Sequence, residues 1–406
     1  MMKMKPTVFV VDQQEYEMEE IRKKTRRIFE ESGFDPRGKS VFVKPSFVYP
    51  ARPPLNIGVV TQPKLIGGVV RALHDLKAGE IEVAEDTLIG PSQIFFGVMG
   101  MNAVLKGYAR PLYLSGAPRV SVEVKDPLIQ ARFLVPQRWL EADLFVSLPK
   151  IKVNMFTHVT LSVKNNLGLL RPRARLLHHH YDIHKKIADL YKVRKPDFVI
   201  ADSIYAGEGQ GPMNADAVHY GLMVGGANGL AVDAVSCHLM GFDPRKIEHL
   251  KYLHEIGFGP LALSQIKIQG KELLEARKRP LKRPRTDFAD LPASVRVFVG
   301  KEMACVGGCV GMVRNSVDQW TTHGIADQLA GYNFIVGKPV KNLPSDLDPK
   351  KTFVVGDCAI EHRNRGIFIA GCPVPPLRVT MLLTAKGRIP PLKMRVRDYI
   401  KGSLGY

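Results

Sequence analysis

At 406 residues the chain is too long for one ordinary hydrophobic core and predicts two domains. Its 45% hydrophobic and 24% charged residues exclude a disordered or fibrous protein, no run reaches the roughly 18 apolar residues of a membrane span, and five cysteines are too few for a disulfide scaffold. The 58 Lys and Arg against 39 Asp and Glu give a net charge of +19, which favours acidic partners: nucleic acid, phosphorylated ligands or an acidic electron-transfer protein.

The opening MMKMKPTVFVVDQQEYEMEE lacks the apolar core and cleavage site of a signal peptide, so a cytoplasmic location without membrane contact is expected. EYEMEEIRKKTRRIFEESG is an amphipathic helix suited to packing on the core or to self-association. KSVFVKPSF (39–47) reads as a buried strand, and TQPKLIGGVVRALHDLK as a helix whose Leu65, Ile66, Val69, Val70 and Leu73 share one face. IEVAEDT (81–87) is a strand ending in carboxylates, which completes a β-α-β unit. The grammar recurs at ADLFVSLPK (142–150), PDFVIADSI (196–204) and YGLMVGGANGLAVDAVSCHLMG (220–241), predicting an α/β fold with a largely parallel sheet flanked by helices over residues 1–270. Ligands bind beyond the carboxyl ends of such strands, which singles out Lys44, Glu85, Asp86, Lys150, Lys152, Asp202 and Asp233.

LPKIKVNMFTHVTLSVKNNLGLLRPRAR (148–175) adds His158, Thr160, Lys164, Asn165, Asn166 and three arginines, a donor set suited to an anionic phosphate or carboxylate. In LLHHHYDIHKKIADL (176–190), His180 and His184 have helical i, i+4 spacing but no accompanying HExxH glutamate. A polar helix start facing the anion site is the expectation, with His178 or His180 as acid or base. DSIYAGEGQGPMNAD (202–216) reads as a strand ending at Asp202, followed by a loop whose Gly207, Gly209 and Gly211 let backbone approach a ligand. Neither GxGxxG nor a Walker motif occurs.

ARKRPLKRPRT (276–286) marks a basic linker over 271–290. Beyond it, over 291–406, VRVFVG (295–300), YNFIVG (332–337), TFVVGD (352–357) and GIFIAG (366–371) predict a smaller α/β domain. Cys305 and Cys309 follow the first strand, Cys358 the third and Cys372 the fourth, so parallel strands would gather four thiols at one edge. That is the donor set of a [4Fe-4S] cluster, with tetrahedral zinc as the alternative; the C-x-x-x-C spacing and Pro373 after the last cysteine favour iron–sulfur. Cys237, on an apolar helix, reads as a small buried hydrophobe.

VFVKPS, AEDT, LPKIKVNMFTHVTLSVKNNLG, DSIYAGEGQGP and NGLAVDAVSCHLMGFDP, as an ordered set over roughly residues 40–260, resemble the uncharacterised family called domain of unknown function 362. The resemblance implies a link to iron–sulfur clusters and a shared cleft lined by Lys44, Asp86, Lys150, Lys152, His158, Lys164, Asn165, Asp202 and Asp233. The chain departs from the family pattern in lacking a C-x-x-C-x-x-C run and in having Asn228 where an aspartate is usual.

The reading that joins these parts is an iron–sulfur redox protein acting on an anionic small molecule. His158, His180, Asp202 and Asp233 are its candidate catalytic groups, and Lys44, Asp86, Lys150, Lys152, Lys164, Asn165, Gly209 and Gly211 its ligand contacts. Its competitors are a zinc-stabilised nucleic-acid-binding protein, disfavoured because no aromatic residues interleave with the basic run, and a metal-independent transferase or ligase acting on a phosphorylated acid.

Overall fold

The computed structural model describes residues 4–48, 57–87, 91–322 and 329–374. The chain divides into two compact units. One runs through Asn154 and takes in His158–Pro172 and His184–Arg283; the other takes in Met155–Thr157, Arg173–Ile183 and the chain from Pro284. The second unit thus borrows two short segments from the sequence of the first. The basic run begins inside a helix that belongs to the first unit, with the division between units at 283/284.

The first unit opens with β1 (Thr7–Asp12), α1 (Met18–Ser32), β2 (Val41–Pro45), α2 (Pro63–Asp75) and β3 (Ile81–Glu85). After these come α3 (Ser92–Val98), α4 (Met101–Leu105), β4 (Arg110–Tyr113), β5 (Arg119–Glu123), β6 (Arg132–Pro136) and α5 (Gln137–Glu141). β7 (Leu144–Leu148) leads into β8 (Lys150–Asn154), then β9 (His158–Thr160), α6 (Ser162–Asn165), α7 (Pro172–Leu176) and α8 (Ile183–Val193). Two long strands, β10 (Phe198–Gln210) and β11 (Asn214–Gly226), precede α9 (Gly229–Leu239), α10 (Glu248–Glu255), β12 (Lys267–Gln269) and α11 (Lys271–Arg277). A ten-stranded sheet runs in the order β12-β1-β11-β10-β7-β2-β3-β4, with β8 beside β10 and β9 beside β8, while β5 and β6 form a separate hairpin. The β10-β7-β2-β3-β4 ladder is parallel throughout, and β11 runs against both of its neighbours.

The α2 face anticipated from its spacing is buried throughout. α1 presents Ile21, Thr25, Ile28 and Phe29 to the interior and ends at Gly33 in the left-handed region (φ 73°). The two helices approach closely because α2 carries glycine where they meet: a Cβ at Gly68 would lie 2.5 Å from Ile21 Cγ2.

Two expectations about local structure are corrected. The strand expected to end at Asp202 continues to Gln210, because β11 pairs with β10 along its whole length, from Val199↔Gly226 to Gln210↔Asn214. Gly207 and Gly209 are therefore hairpin residues, and Gly211 begins the turn that follows. His180 and His184 are not on one helix, since α8 starts at Ile183 and His178–Asp182 form turns and bends ahead of it.

In the second unit, β13 (Arg296–Val299), α12 (Cys309–Thr322), β14 (Asn333–Val336), β15 (Thr352–Val355) and β16 (Ile367–Ile369) build a four-stranded parallel sheet in chain order. Val313 and Val317 of α12 pack on the Phe334, Val336, Phe353 and Val355 face of that sheet. Among the described residues no helix is long and apolar enough to cross a membrane.

Candidate functional site

The first unit buries four charged groups as two ion pairs, each between neighbouring parallel strands: one at the carboxyl ends of β2 and β3, the other between the start of β8 and the middle of β10. Lys44, at the end of β2, holds Glu85 of β3 at 3.0 Å with both side chains fully enclosed. Its ammonium also reaches Asn165 Oδ1 at 3.2 Å, and the Asn165 amide donates to Lys44 O and Ser147 Oγ, so Asn165 locks the strand ends together. Gly168 makes room for this pair, since a Cβ there would lie 2.5 Å from Lys44 Nζ. Lys150, which opens β8, holds Asp202 at 3.1 Å. Tyr16 closes the triangle, donating to Asp202 Oδ1 at 2.8 Å and accepting from Lys150 Nζ at 2.9 Å. The Gln62 backbone N–H donates to the other carboxylate oxygen. Burial and the Asp202 charge push the Tyr16 phenol well above its usual range, which keeps it a donor.

Among the described residues, Lys152, two residues along β8, has no such carboxylate at contact distance; its ammonium donates to Val59 O. Burial, then the Lys150 charge, pushes it down to about 7, with Glu85 pulling the other way. Lys164, partly accessible on α6, is driven down by burial and by Lys152. Two lysines close enough to weaken each other, beside carboxylates already committed to Lys44 and Lys150, form a site that an anion would stabilise.

A row of histidines adjoins Lys164. His184 and His249 bridge Nδ1 to Nδ1 at 2.8 Å, so one ring donates and the other accepts, and both are neutral. Burial, followed by His158 and Lys164, lowers His184 to about 3. His158 is exposed and sits at φ 66°, a left-handed conformation uncommon outside glycine, with its ring 6.1 Å from His184.

Other expected residues do structural work. Asp86, buried, lies 4.0 Å from Arg119 and accepts the Thr87 N–H. The approach that Gly211 permits is that of the chain itself, since a Cβ would lie 2.2 Å from Val153 O, and Gly209 supplies a left-handed turn (φ 75°) in the hairpin. Asp233 follows an antiparallel strand, so it reaches the sheet from α9 rather than from a strand end. It accepts the N–H groups of Ser162 and Val163 at 2.8 and 2.9 Å, fixing the start of α6. Burial nonetheless raises its carboxyl to about 7, against the pull of those two donors. A carboxyl raised by folding contributes stability that is present below its unfolded pKa of about 4 and lost as pH rises through about 7. Asp233→Asn should therefore flatten the fall in stability between about pH 4 and 7, read as urea midpoints across that range; an unchanged slope would remove Asp233 from the account.

His180 belongs to the second unit, where its Nδ1 lies 3.6 Å from Asp182, away from the expected place on a helix with His184. Sequence reasoning missed Tyr16, Gln62 and His249. The first two act from outside the motif-bearing segments, and His249 resembles any buried helix residue until its partner is known.

The second unit assembles the four cysteines. Cys305 and Cys309 flank a turn closed by Gly308 N–H to Cys305 O, Cys358 sits in a 3-10 turn after β15, and Cys372 follows β16. The last two loops are tied by Asp357 N–H to Gly371 O and by Gly371 N–H to the Asp357 carboxylate. Burial pushes the Cys309 thiol up to about 12; the Val374 N–H opposes this, and the charges of Cys305, Cys372 and Cys358 add to it, so all four sulfurs sense one another. Glycine makes room for them: a Cβ at Gly308 would lie 2.6 Å from Cys305 Sγ, and one at Gly356 2.6 Å from Cys309 Sγ. Among the described residues, no three His, Cys, Asp or Glu side chains close tightly enough to hold a single metal ion. Cys237 is fully buried, as its helix position implied.

The model of the family described as "Domain of unknown function (DUF362)" matches residues 41–238, which contain every lysine of the cluster and end before Cys305, the first of the four clustered cysteines. A thylakoid-associated protein of Synechocystis sp. is 24% identical over 270 residues, covering 63% of this chain and 81% of that protein. Among solved structures, the lactate racemase apoprotein of Thermoanaerobacterium thermosaccharolyticum superposes with a TM-score of 0.39 at 11% identity, covering 82% of this chain and 70% of that one. A Thermotoga maritima protein gives 0.38 at 12% identity, covering 83% and 74%.

Proposed function

We propose that this chain, matched over residues 41–238 by the DUF362 family, is an iron–sulfur redox protein acting on an anionic small molecule. The observation that carries the reading is the set of four thiols from three strand ends of one parallel sheet, each within electrostatic reach of the others. A tetrahedral zinc at about 2.3 Å from each sulfur would hold the thiolates about 3.8 Å apart. A four-iron cluster gives each thiolate its own iron and so spaces them more widely.

Cys305, Cys309, Cys358 and Cys372 would hold the cluster, with Gly308 and Gly356 keeping side chains off the sulfurs. Bound there, it would supply one-electron chemistry. A bound metal would displace the proton that burial otherwise holds on Cys309. In the first unit, Lys152 and Lys164 would take the anion by charge-assisted hydrogen bonds. Lys150, neutralised by Asp202, would hold β8 in place, and His158 is the exposed group suited to moving a proton at the bound ligand.

The test is anaerobic purification of wild type and Cys358→Ser, followed by absorption spectra before and after dithionite. The expected wild-type result is a broad visible band that bleaches on reduction and is reduced or absent in the variant. A wild type without visible absorption would end the reading and bring the zinc alternative forward.

A further inference from the structure

The second unit borrows Met155–Thr157 and Arg173–Ile183 from a part of the sequence otherwise built into the first. Within the unit, these segments pack against the cysteine loop. The base of that loop is pinned by Met303 and Lys338, which exchange backbone hydrogen bonds at 2.8 and 2.9 Å. Its tip is held from outside, with His179 Nδ1 2.6 Å from Gly307 O, a spacing that requires the ring to donate from Nδ1. Phe156 stands edge-on to His179 at 5.0 Å. The contact is flush, because a Cβ at Gly307 would lie 2.5 Å from His180 O and one at Gly311 2.6 Å from Phe156 Cε1. Tyr181, half-exposed, lies within electrostatic reach of Cys305, Cys358 and Cys372.

We infer that His179 and Phe156 are positioning residues for the Cys305–Cys309 loop, and that the segment around them shields Cys305 and Cys309, and any cluster on them, from solvent and oxygen. His179 fixes the loop tip by one hydrogen bond, and Phe156 braces the His179 ring. A loop released at its tip would open two of the four thiols without losing a ligand. The part of this inference that concerns the cluster rests on the iron–sulfur reading; the shielding of the thiols does not.

The experiment compares wild type, His179→Ala, His179→Asn and Phe156→Ala as full chains purified anaerobically. Two rates are read: the loss of visible absorbance in air, and, after a chelator has removed metal, the alkylation of Cys305 and Cys309 by a maleimide followed by peptide mapping. His179→Ala should accelerate both on the order of tenfold, as expected for residues that orient ligands. His179→Asn, which keeps a donor, should stay near wild type, and Phe156→Ala should fall between them. Wild-type rates in both His179→Ala and Phe156→Ala would overturn the inference. A wild type that carries no iron would sink the iron–sulfur reading alone, because the alkylation rates still decide this one.

Discussion

Asp202→Ala destabilises the first unit by about 3 to 5 kcal/mol, among the largest effects expected of a substitution outside the cysteines. Removing the carboxylate leaves the Lys150 ammonium fully buried with, among the described residues, Tyr16 alone to meet it, and the Tyr16 hydroxyl loses the oxygen to which it donates. The pair itself is not a net source of stability, since the cost of desolvating two charges offsets much of their attraction. Lys150→Met combined with Asp202→Leu should therefore recover most of the loss. Tyr16→Phe should cost only about 1 kcal/mol, the worth of an ordinary hydrogen bond. Urea unfolding followed by far-UV circular dichroism separates these variants. If the double substitution were as unstable as Asp202→Ala, the damage would lie in packing rather than in a stranded charge.

Lys152→Met weakens binding of sulfate, used as a non-titrating probe of the anion site, by about 10- to 100-fold. That is the effect of losing a charged hydrogen bond worth about 1.5 to 3 kcal/mol. The same change should raise stability at pH 6, because a lysine whose folded pKa lies near 7 carries stability that is lost as pH falls from about 10 through 7. Gain of stability with loss of binding distinguishes a ligand group from a structural one. Wild-type affinity for sulfate should also strengthen as pH falls through about 7, and more steeply than that of the variant, which keeps Lys164 alone of the two lysines. Calorimetric titration at pH 6 and 8 checks both, and equal affinities in the two proteins would remove Lys152 from the site.

The β-α-β unit and the four-strand arrangement of the second unit were legible because their parallel strands read as short, mostly apolar runs ending in glycine or a charge, broken in β3 by Glu82. Lys44 and Lys150 could be placed for the same reason, since one lies near the end and the other at the start of such a run, and Lys152 follows two residues along the same strand. The length of β10 was hidden: its outer half, YAGEGQ, ends in four polar or glycine residues with no apolar alternation, and is extended because β11 pairs with it. The histidines misled through spacing. Four residues apart suggests one helical face, but α8 begins between His180 and His184, and the two side chains serve different units. Tyr16 and His249 carry no local signal, because their roles come from contacts across 186 and 65 residues of sequence.

The most direct measurement for the central claim is the iron, acid-labile sulfide and zinc content of the anaerobically purified full chain. The account predicts about four irons and four sulfides per chain with no stoichiometric zinc. One zinc per chain without iron or sulfide would contradict it.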